Sequence, residues 1–110
     1  MFLGVLNGSG YEGRHRSVVL VSGDLDLSTC EHVRSRLFSA MDGPSGDLVV
    51  DLSRVSFIDA RGLGLLVETD LQAKATGHRV VLWRPSQIVC RLLSLGGLGD
   101  HFELEFFEQD

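Results

Sequence analysis

The sequence has few of the features that would tie a short chain to a membrane or to nucleic acid. Its 110 residues include two prolines and a single lysine, Lys74, and the formal net charge is −5. An acidic chain lacks the basic face that attracts nucleic acids and anionic membranes, so neither is expected as a direct partner. The apolar runs are too short to span a bilayer, and Met1–Leu6 does not read as a signal peptide. A cytoplasmic protein is therefore predicted.

Cysteine is also scarce. Cys30 and Cys90 form no CxxC motif, and no Cys/His spacing suits zinc. Two reduced thiols packed in or near the core are the prediction that general cysteine behaviour favours. A redox-active pair is the alternative, and it requires the two helices that carry these residues to face each other. No metal and no cofactor are expected.

Enzyme signatures are missing. The sequence has no GxxxxGK[ST] phosphate loop and no GxSxG nucleophile elbow. Gly62-Leu63-Gly64 is not a dinucleotide fingerprint, because Val67 takes the third glycine position. The four histidines fall in predicted loops or on a solvent-facing helix side, which indicates surface residues: His15, His32, His78 and His101. We therefore expect no enzyme.

Apolar runs alternate with helical periodicity along the chain. Strands are predicted at four buried or alternating runs: Val18–Val21, Asp47–Asp51, Arg79–Trp83 and Phe102–Phe106. Residues 1–16 are either an edge strand, Met1–Leu6, followed by turn residues Asn7–Gly10, or a flexible leader. The pattern predicts a single α/β domain over residues 1–110, with a mixed, mostly parallel sheet of four to five strands and three to four helices.

Three helices are predicted between these strands. Ser28 and Glu31 form a capping-box pattern before a helix whose apolar side carries Cys30, Val33, Leu37 and Met41. A second helix spans about Ala60–Ala75, with Leu63, Leu66, Val67 and Leu71 on its apolar face and Gly77 at its end. Ser86 is a candidate cap for the third helix.

The stretch Asp51–Leu71 is expected to organise the functional surface. It reads as a strand end, a short loop and a helix capped by Asp59. Gly62 and Gly64 fall at the start of this helix, where each glycine costs roughly 1 kcal/mol relative to alanine. Such a local cost indicates that a partner or a packed backbone comes close.

Four aspartates follow or end predicted strands: Asp24, Asp26, Asp51 and Asp59. Ligands bind at the carboxyl edge of parallel sheets, so a carboxylate cluster there could hold a metal or a phosphoryl group. Capping is the simpler role for Asp26 and Asp59, because a carboxylate is favourable at the positive end of a helix.

Two segments resemble the hallmark segments of STAS domains. They are Ser22–Asp26 and Val49–Leu66, and Leu93–Phe102 is similar to the family's region after its third helix. The resemblance covers about residues 17–107 and is nearest to the small bacterial anti-sigma factor antagonists. It implies a STAS-like mixed sheet with helices packed against it and no catalytic activity.

In that family the protein binds an anti-sigma factor, which is a serine kinase with a histidine-kinase-like ATPase fold, and so releases a sigma factor. The resemblance thus implies regulation of transcription by protein–protein interaction, as in bacterial stress-response signalling. We expect a monomer or weak dimer. The partner-binding surface is expected at Asp24, Asp26, Ser56, Asp59, Ala60, Arg61, Gly62, Leu63 and Gly64.

The sequence departs from the family at the residue that carries the regulatory switch. In the family, phosphorylation of a serine or threonine directly after the loop aspartate abolishes binding. Here that residue is Ala60, which has no hydroxyl group. The resemblance therefore implies a retained docking surface without the usual switch. Ser53 and Ser56 lie nearby, but neither matches the family's site.

Two other functions remain open. The domain could be a STAS scaffold or sensor subunit of a larger signalling or transport complex. It could instead bind a small ligand or nucleotide at its acidic strand ends, although no phosphate loop or catalytic pair supports this.

Overall fold

The computed structural model describes the backbone of residues 2–9 and the whole of residues 15–106. Eight elements alternate along this part of the chain: β1 (Phe2–Ser9), β2 (His15–Leu25), α1 (Cys30–Ser39), β3 (Gly46–Ile58), α2 (Ala60–Ala75), β4 (Arg79–Trp83), α3 (Gln87–Leu95) and β5 (Glu103–Glu105). The strands form one five-stranded sheet in the order β1-β2-β3-β4-β5. β1 is antiparallel to β2, and the other neighbours are parallel. The predicted mixed, mostly parallel α/β sheet is confirmed.

β1 lies at the edge of the sheet and pairs with β2 in the antiparallel direction. β1 is longer than predicted, because Asn7, Gly8 and Ser9 continue the ladder opposite Ser17, Arg16 and His15. These three residues were predicted as a turn, which is wrong; Gly10 lies outside the described residues. A ladder partner can satisfy the backbone of turn-type residues that would otherwise leave the strand.

The core lies between the sheet and the helices. Alternate residues of β2, β3 and β4 are buried there, including Val19, Val21, Val50 and Leu82. The predicted inner side of α1 is confirmed, since Val33, Leu37 and Met41 are buried in the same cluster and Cys30 packs against it.

α2 is rotated relative to the predicted face. Leu66 is buried, and Leu63 and Val67 are partly buried, but Leu71 is 61% exposed. The buried positions are instead Gly62, Leu65, Leu66, Thr69, Asp70 and Ala73. Two of these residues, Thr69 and Asp70, are polar, so a prediction from the spacing of apolar residues does not identify the buried face. Each is satisfied locally: the Thr69 hydroxyl donates to the Leu65 carbonyl, and the Asp70 carboxylate pairs with Lys74.

β3 is much longer than the predicted Asp47–Asp51. It runs to Ile58 and pairs with β2 as far as the Leu25–Ile58 partners, across two register irregularities. The predicted short loop before Asp59 is therefore wrong. Leu52, Val55 and Ile58 are buried, and their spacing of three hides the two-residue strand period. Asp51 lies inside β3, where its carboxylate accepts from the N–H and hydroxyl of Ser53.

Of the two histidines after α2, His78 is buried, whereas His101 is exposed as predicted. His78 is 9% exposed, and its Nε2 lies 3.0 Å from the Pro44 carbonyl oxygen. Its Nδ1 lies 3.0 Å from the Thr76 hydroxyl, so the ring ties the loop after α2 to the loop after α1. His101 Nε2 lies 3.1 Å from the Asp70 carboxylate. The surface prediction for His78 is wrong because a neighbouring carbonyl and hydroxyl compensate for its burial.

Candidate functional site

The carboxyl ends of β2 and β3 bring the first predicted site residues together. Asp24 is the register partner of Phe57, beside Ser56, whose hydroxyl donates to the Asp24 carboxylate over 3.4 Å. Asp24, Ser56 and Phe57 are all exposed. Phe57 is 44% exposed, which is unusual for a large aromatic side chain at a strand end. This edge therefore presents a carboxylate, a hydroxyl and an apolar ring to the solvent.

The turn between β2 and α1 is built around Asp26. Its carboxylate accepts from the backbone N–H and the hydroxyl of Ser28, at 2.9 and 2.7 Å. The predicted capping box is therefore wrong: Thr29 is the N-cap of α1, without a side-chain cap bond. Asp26 competes successfully for the Ser28 hydroxyl because a charge-assisted bond is the stronger one. The Ser28 hydroxyl is the main reason that the pKa of Asp26 is lowered from its ordinary value.

The start of α2 is capped as predicted. The Asp59 carboxylate accepts from the backbone N–H groups of Arg61 and Gly62 at 2.9 and 3.1 Å. This N-cap fixes the first helical turn and leaves Ala60 and Arg61 exposed at its surface. Leu63 is partly buried and turned toward the glycine-rich segment after α3.

The two glycines at the start of α2 have different reasons to lack a side chain. A Cβ at Gly62 would collide with the Leu25 carbonyl oxygen and lie 2.9 Å from Ile58 Cγ1. Gly62 is thus required by close packing of α2 on the strand ends. A Cβ at Gly64 would meet nothing within 4 Å beyond its own helix backbone in the part of the chain that the structure describes. Gly64 is exposed, and packing against the described residues does not account for it.

A groove of about 380 Å³ runs between the starts of α1 and α2. We call it the α1–α2 groove; the described residues that line it are Leu27, Cys30, Glu31, Arg34, Ala60, Arg61, Gly64, Leu65 and Glu68. Three of these, Ala60, Arg61 and Gly64, were predicted as partner-binding residues, and Cys30 was predicted only as a possible redox residue. Leu27 was not predicted, although it is 65% exposed at the mouth of the groove.

The ion pair on the far wall of the groove was also not predicted from the sequence. Arg34 of α1 and Glu68 of α2 join over 2.7 Å across it, and the Arg34 guanidinium lies 4.5 Å from the centre of the Phe38 ring. Each residue reads in the sequence as one more charge on a solvent-facing helix side. Only the packing of α1 beside α2 brings them together, so no local pattern could have found the pair.

The two cysteines are free thiols in this structure. Cys30 lies at the first turn of α1 and lines the α1–α2 groove, and Cys90 lies in α3 with its thiol 3.6 Å from the Pro85 carbonyl oxygen. Burial, followed by the nearby carboxylates of Asp59 and Asp26, raises the pKa of Cys30. A raised pKa lowers the thiolate fraction at neutral pH and makes Cys30 less reactive.

The four aspartates do not form one cluster. Asp51 is seven residues from the end of β3, whereas Asp24, Asp26 and Asp59 surround its carboxyl end and the starts of the helices. Within residues 15–106, no three His, Cys, Asp or Glu side chains are placed to hold a metal ion. In the same part of the chain, no helix has the length and apolar character needed to cross a membrane.

The sequence and the fold match a known class of domain. A family model described as "Mlab, STAS domain" matches residues 11–105, and the chain belongs to the STAS domain family. Among its relatives is the anti-sigma F factor antagonist of Lysinibacillus sphaericus, which is 28% identical over 87 residues, or 78% of this chain and 74% of that protein.

Two solved structures extend the comparison. An anti-sigma factor antagonist from Mycobacterium paratuberculosis is 32% identical, with a TM-score of 0.71 over 96% of this chain and 87% of that one. The anti-sigma factor antagonist SpoIIAA in its unphosphorylated form has a TM-score of 0.70 over 92% of this chain and 89% of that one, at 24% identity. The expected STAS-like fold is confirmed.

Proposed function

We propose that this protein is an anti-sigma factor antagonist, which binds an anti-sigma factor and so releases a sigma factor for transcription. Its membership of the STAS family and the names of its relatives support this role. The partner we propose is an anti-sigma factor with the fold of a serine-kinase-like ATPase. The protein acts by occupying that partner and carries out no reaction of its own.

The observation that carries the proposal is the exposed start of α2 beside an open groove. The Asp59 carboxylate accepts hydrogen bonds from two backbone N–H groups and so fixes the first turn of α2. The small residues Ala60 and Gly64 of this helix start line the α1–α2 groove. Leu27 supplies apolar area in the groove and Phe57 at the neighbouring end of β3, at 65% and 44% exposure. Apolar anchors surrounded by polar groups are typical of the centre of a protein–protein interface.

We assign the partner surface to the groove together with the neighbouring strand ends. It comprises the predicted residues, with Gly62 contributing through the backbone position that it allows, and it adds Leu27, Phe57, Arg34 and Glu68. Arg61 is exposed and makes no ion pair with the other residues that the structure describes. It is therefore available to a carboxylate of the partner.

Control at this surface does not use a phosphate on residue 60. Ala60 offers no hydroxyl, and the nearby hydroxyls of Ser53 and Ser56 donate to Asp51 and Asp24 instead. Binding is then constitutive, or governed by the amount of the protein or by another partner.

The proposal is tested by calorimetric titration of the purified protein with candidate anti-sigma factors. Ala60→Asp places a charge in the groove, while a carboxylate in the first helical turn favours folding. We expect it to weaken binding roughly tenfold or more, because an unpaired carboxylate would be buried in the interface. The matched control is Ala75→Asp, at the exposed far end of α2, which should retain the affinity of the unmodified protein.

A complementary variant asks whether the lost switch can be restored. Ala60→Ser should become a substrate for a kinase-active anti-sigma factor, and the phosphorylated product should lose affinity. Failure of every candidate to bind the unmodified protein would refute the proposed role. Equal affinities for the Ala60→Asp and Ala75→Asp variants would instead refute the assigned surface.

A further inference from the structure

A second cavity, of about 440 Å³, lies at the opposite end of the sheet from the α1–α2 groove. It opens at the start of β2 and the end of α1, and the length of β2 places it roughly 30 Å from Asp24. We call it the amino-edge cavity; its described lining residues are His15, Ser17, Arg36, Ser39, Ala40, Gly43 and Pro44. Nothing in the proposed function uses it.

The hydrogen-bond acceptors around this cavity are largely occupied. Three carbonyls at the end of α1, those of Arg36, Phe38 and Ser39, accept from the N–H groups of Ala40, Met41 and Asp42 at 3.0 to 3.1 Å. The Pro44 carbonyl oxygen lies 3.0 Å from Nε2 of His78. The negative end of α1 is therefore largely capped by the chain itself, so it repels an incoming anion less than free carbonyls would.

The donors around the cavity are largely free. Arg36 makes no ion pair with the residues that the structure describes, in contrast to Arg34 one half-turn earlier, which pairs with Glu68. The Ser17 hydroxyl is in a residue only 3% exposed, and its single contact is a long one, 3.4 Å to His15 Nε2. A buried hydroxyl so weakly engaged leaves hydrogen-bonding capacity directed at the cavity.

The composition of the lining selects one kind of ligand. A guanidinium, an imidazole and two hydroxyls converge here, and no described lining residue carries a carboxylate. Planar guanidinium groups bind tetrahedral oxyanions through two parallel N–H bonds, and hydroxyls complete such sites. Among the described lining residues, a cation would find no anionic ligand.

We propose that the amino-edge cavity binds a small phosphate-class oxyanion, held by the Arg36 guanidinium and by His15, Ser17 and Ser39. Arg36 supplies the charge, since it lies in the last turn of α1 and lines the cavity together with residues at the start of β2. Inorganic phosphate and the phosphate of a small monoester share this chemistry. The site is separate from the partner surface, so its occupancy does not require an anti-sigma factor.

The test is a two-dimensional NMR titration of the full chain with inorganic phosphate, at constant ionic strength in chloride. We expect saturable shifts of amide signals at residues 15–17 and 36–43, without comparable shifts at the start of α2. Arg36→Gln should weaken the affinity roughly tenfold or more, because it removes a charge-assisted contact. Arg91→Gln is the matched control: Arg91 is exposed on α3 and makes no ion pair with the described residues.

Two further measurements make the outcome decisive. Ser17→Ala should also weaken phosphate binding, and the thermal midpoints of all variants show whether each is folded. A parallel titration with a nucleoside monophosphate distinguishes the two possible ligands. Binding of the nucleoside monophosphate identifies a site for phosphate monoesters, and binding of inorganic phosphate alone identifies a site for the free anion. Shifts that do not saturate, or that Arg36→Gln leaves unchanged when the protein is folded, would overturn the proposal.

Discussion

Gly62 and Gly64 are two residues apart on α2, and the structure predicts opposite responses to the same methyl group. At Gly64, a Cβ would meet no atom within 4 Å beyond its own helix backbone in the described part of the chain. Alanine there gains the usual helix preference of about 1 kcal/mol without a packing cost. For a domain of this size, that gain corresponds to a rise in the melting temperature of about 4 °C.

At Gly62 the same change is unfavourable. The added methyl would meet the Leu25 carbonyl oxygen, which belongs to backbone and cannot rotate away, and would lie 2.9 Å from Ile58 Cγ1. α2 must then move off the strand ends, and overpacking of this kind costs about 1–3 kcal/mol. We therefore expect Gly62→Ala to melt lower than the unmodified protein and Gly64→Ala to melt higher, as measured by calorimetry.

The affinity for the proposed partner should also respond to the change at Gly64. Gly64→Ala places its methyl in the α1–α2 groove, so the more stable variant should bind the proposed partner, an anti-sigma factor, roughly tenfold or more weakly. A lower melting temperature for Gly64→Ala, or a higher one for Gly62→Ala, would refute the packing argument. A stabilised Gly64→Ala variant with unchanged affinity would instead show that the partner does not approach this residue.

Two further predictions concern titrating groups beside the groove. Ser28→Ala should raise the pKa of Asp26 toward its ordinary value, which carboxyl carbon NMR can follow; an unchanged value would contradict the assigned cause. Because the folded pKa is depressed, the contribution of Asp26 to stability is present above the pKa of the unfolded chain and is lost as pH falls through the folded value. Cys30 should be alkylated more slowly at pH 8 in the folded protein than in the urea-unfolded chain, as mass spectrometry of its peptide would show, because its raised pKa leaves less thiolate.

The parts of the fold that depend on neighbouring residues were predictable from the sequence. The Asp59 cap and the extent of α2 follow from signals within a few residues, and Gly77 indeed adopts a positive φ of 78° after the helix. The start of α1 shows the limit of such signals. The Ser28 side chain could pair either with Asp26 or, in a capping box, with Glu31. It pairs with Asp26, and this choice depends on the path of the chain at the end of β2.

The features missed depend on contacts between distant segments. Leu71 reads as a core residue, but the close approach of Gly62 to Leu25 sets the rotation of α2 and leaves Leu71 exposed. The length of β3 likewise depends on β2, whose irregular pairing carries the ladder to Ile58 through residues that resemble a loop. The groove exists only once α1 lies beside α2.

The unequal lengths of β3 and β4 have a consequence for local motion. Pairing of β3 with β4 ends at Asp51 and Trp83, so residues 52–58 continue with a strand partner only on the β2 side among the described strands. This overhang is about 23 Å long, and the proposed partner surface lies at its tip. Segments held by fewer ladder bonds open without global unfolding, so amide hydrogen exchange should be faster at residues 53–57 than at residues 48–50. A bound partner would slow amide exchange at residues 53–57 toward the rate at residues 48–50. The exchange rate at the end of β3 would then measure how much of the protein is bound to its partner.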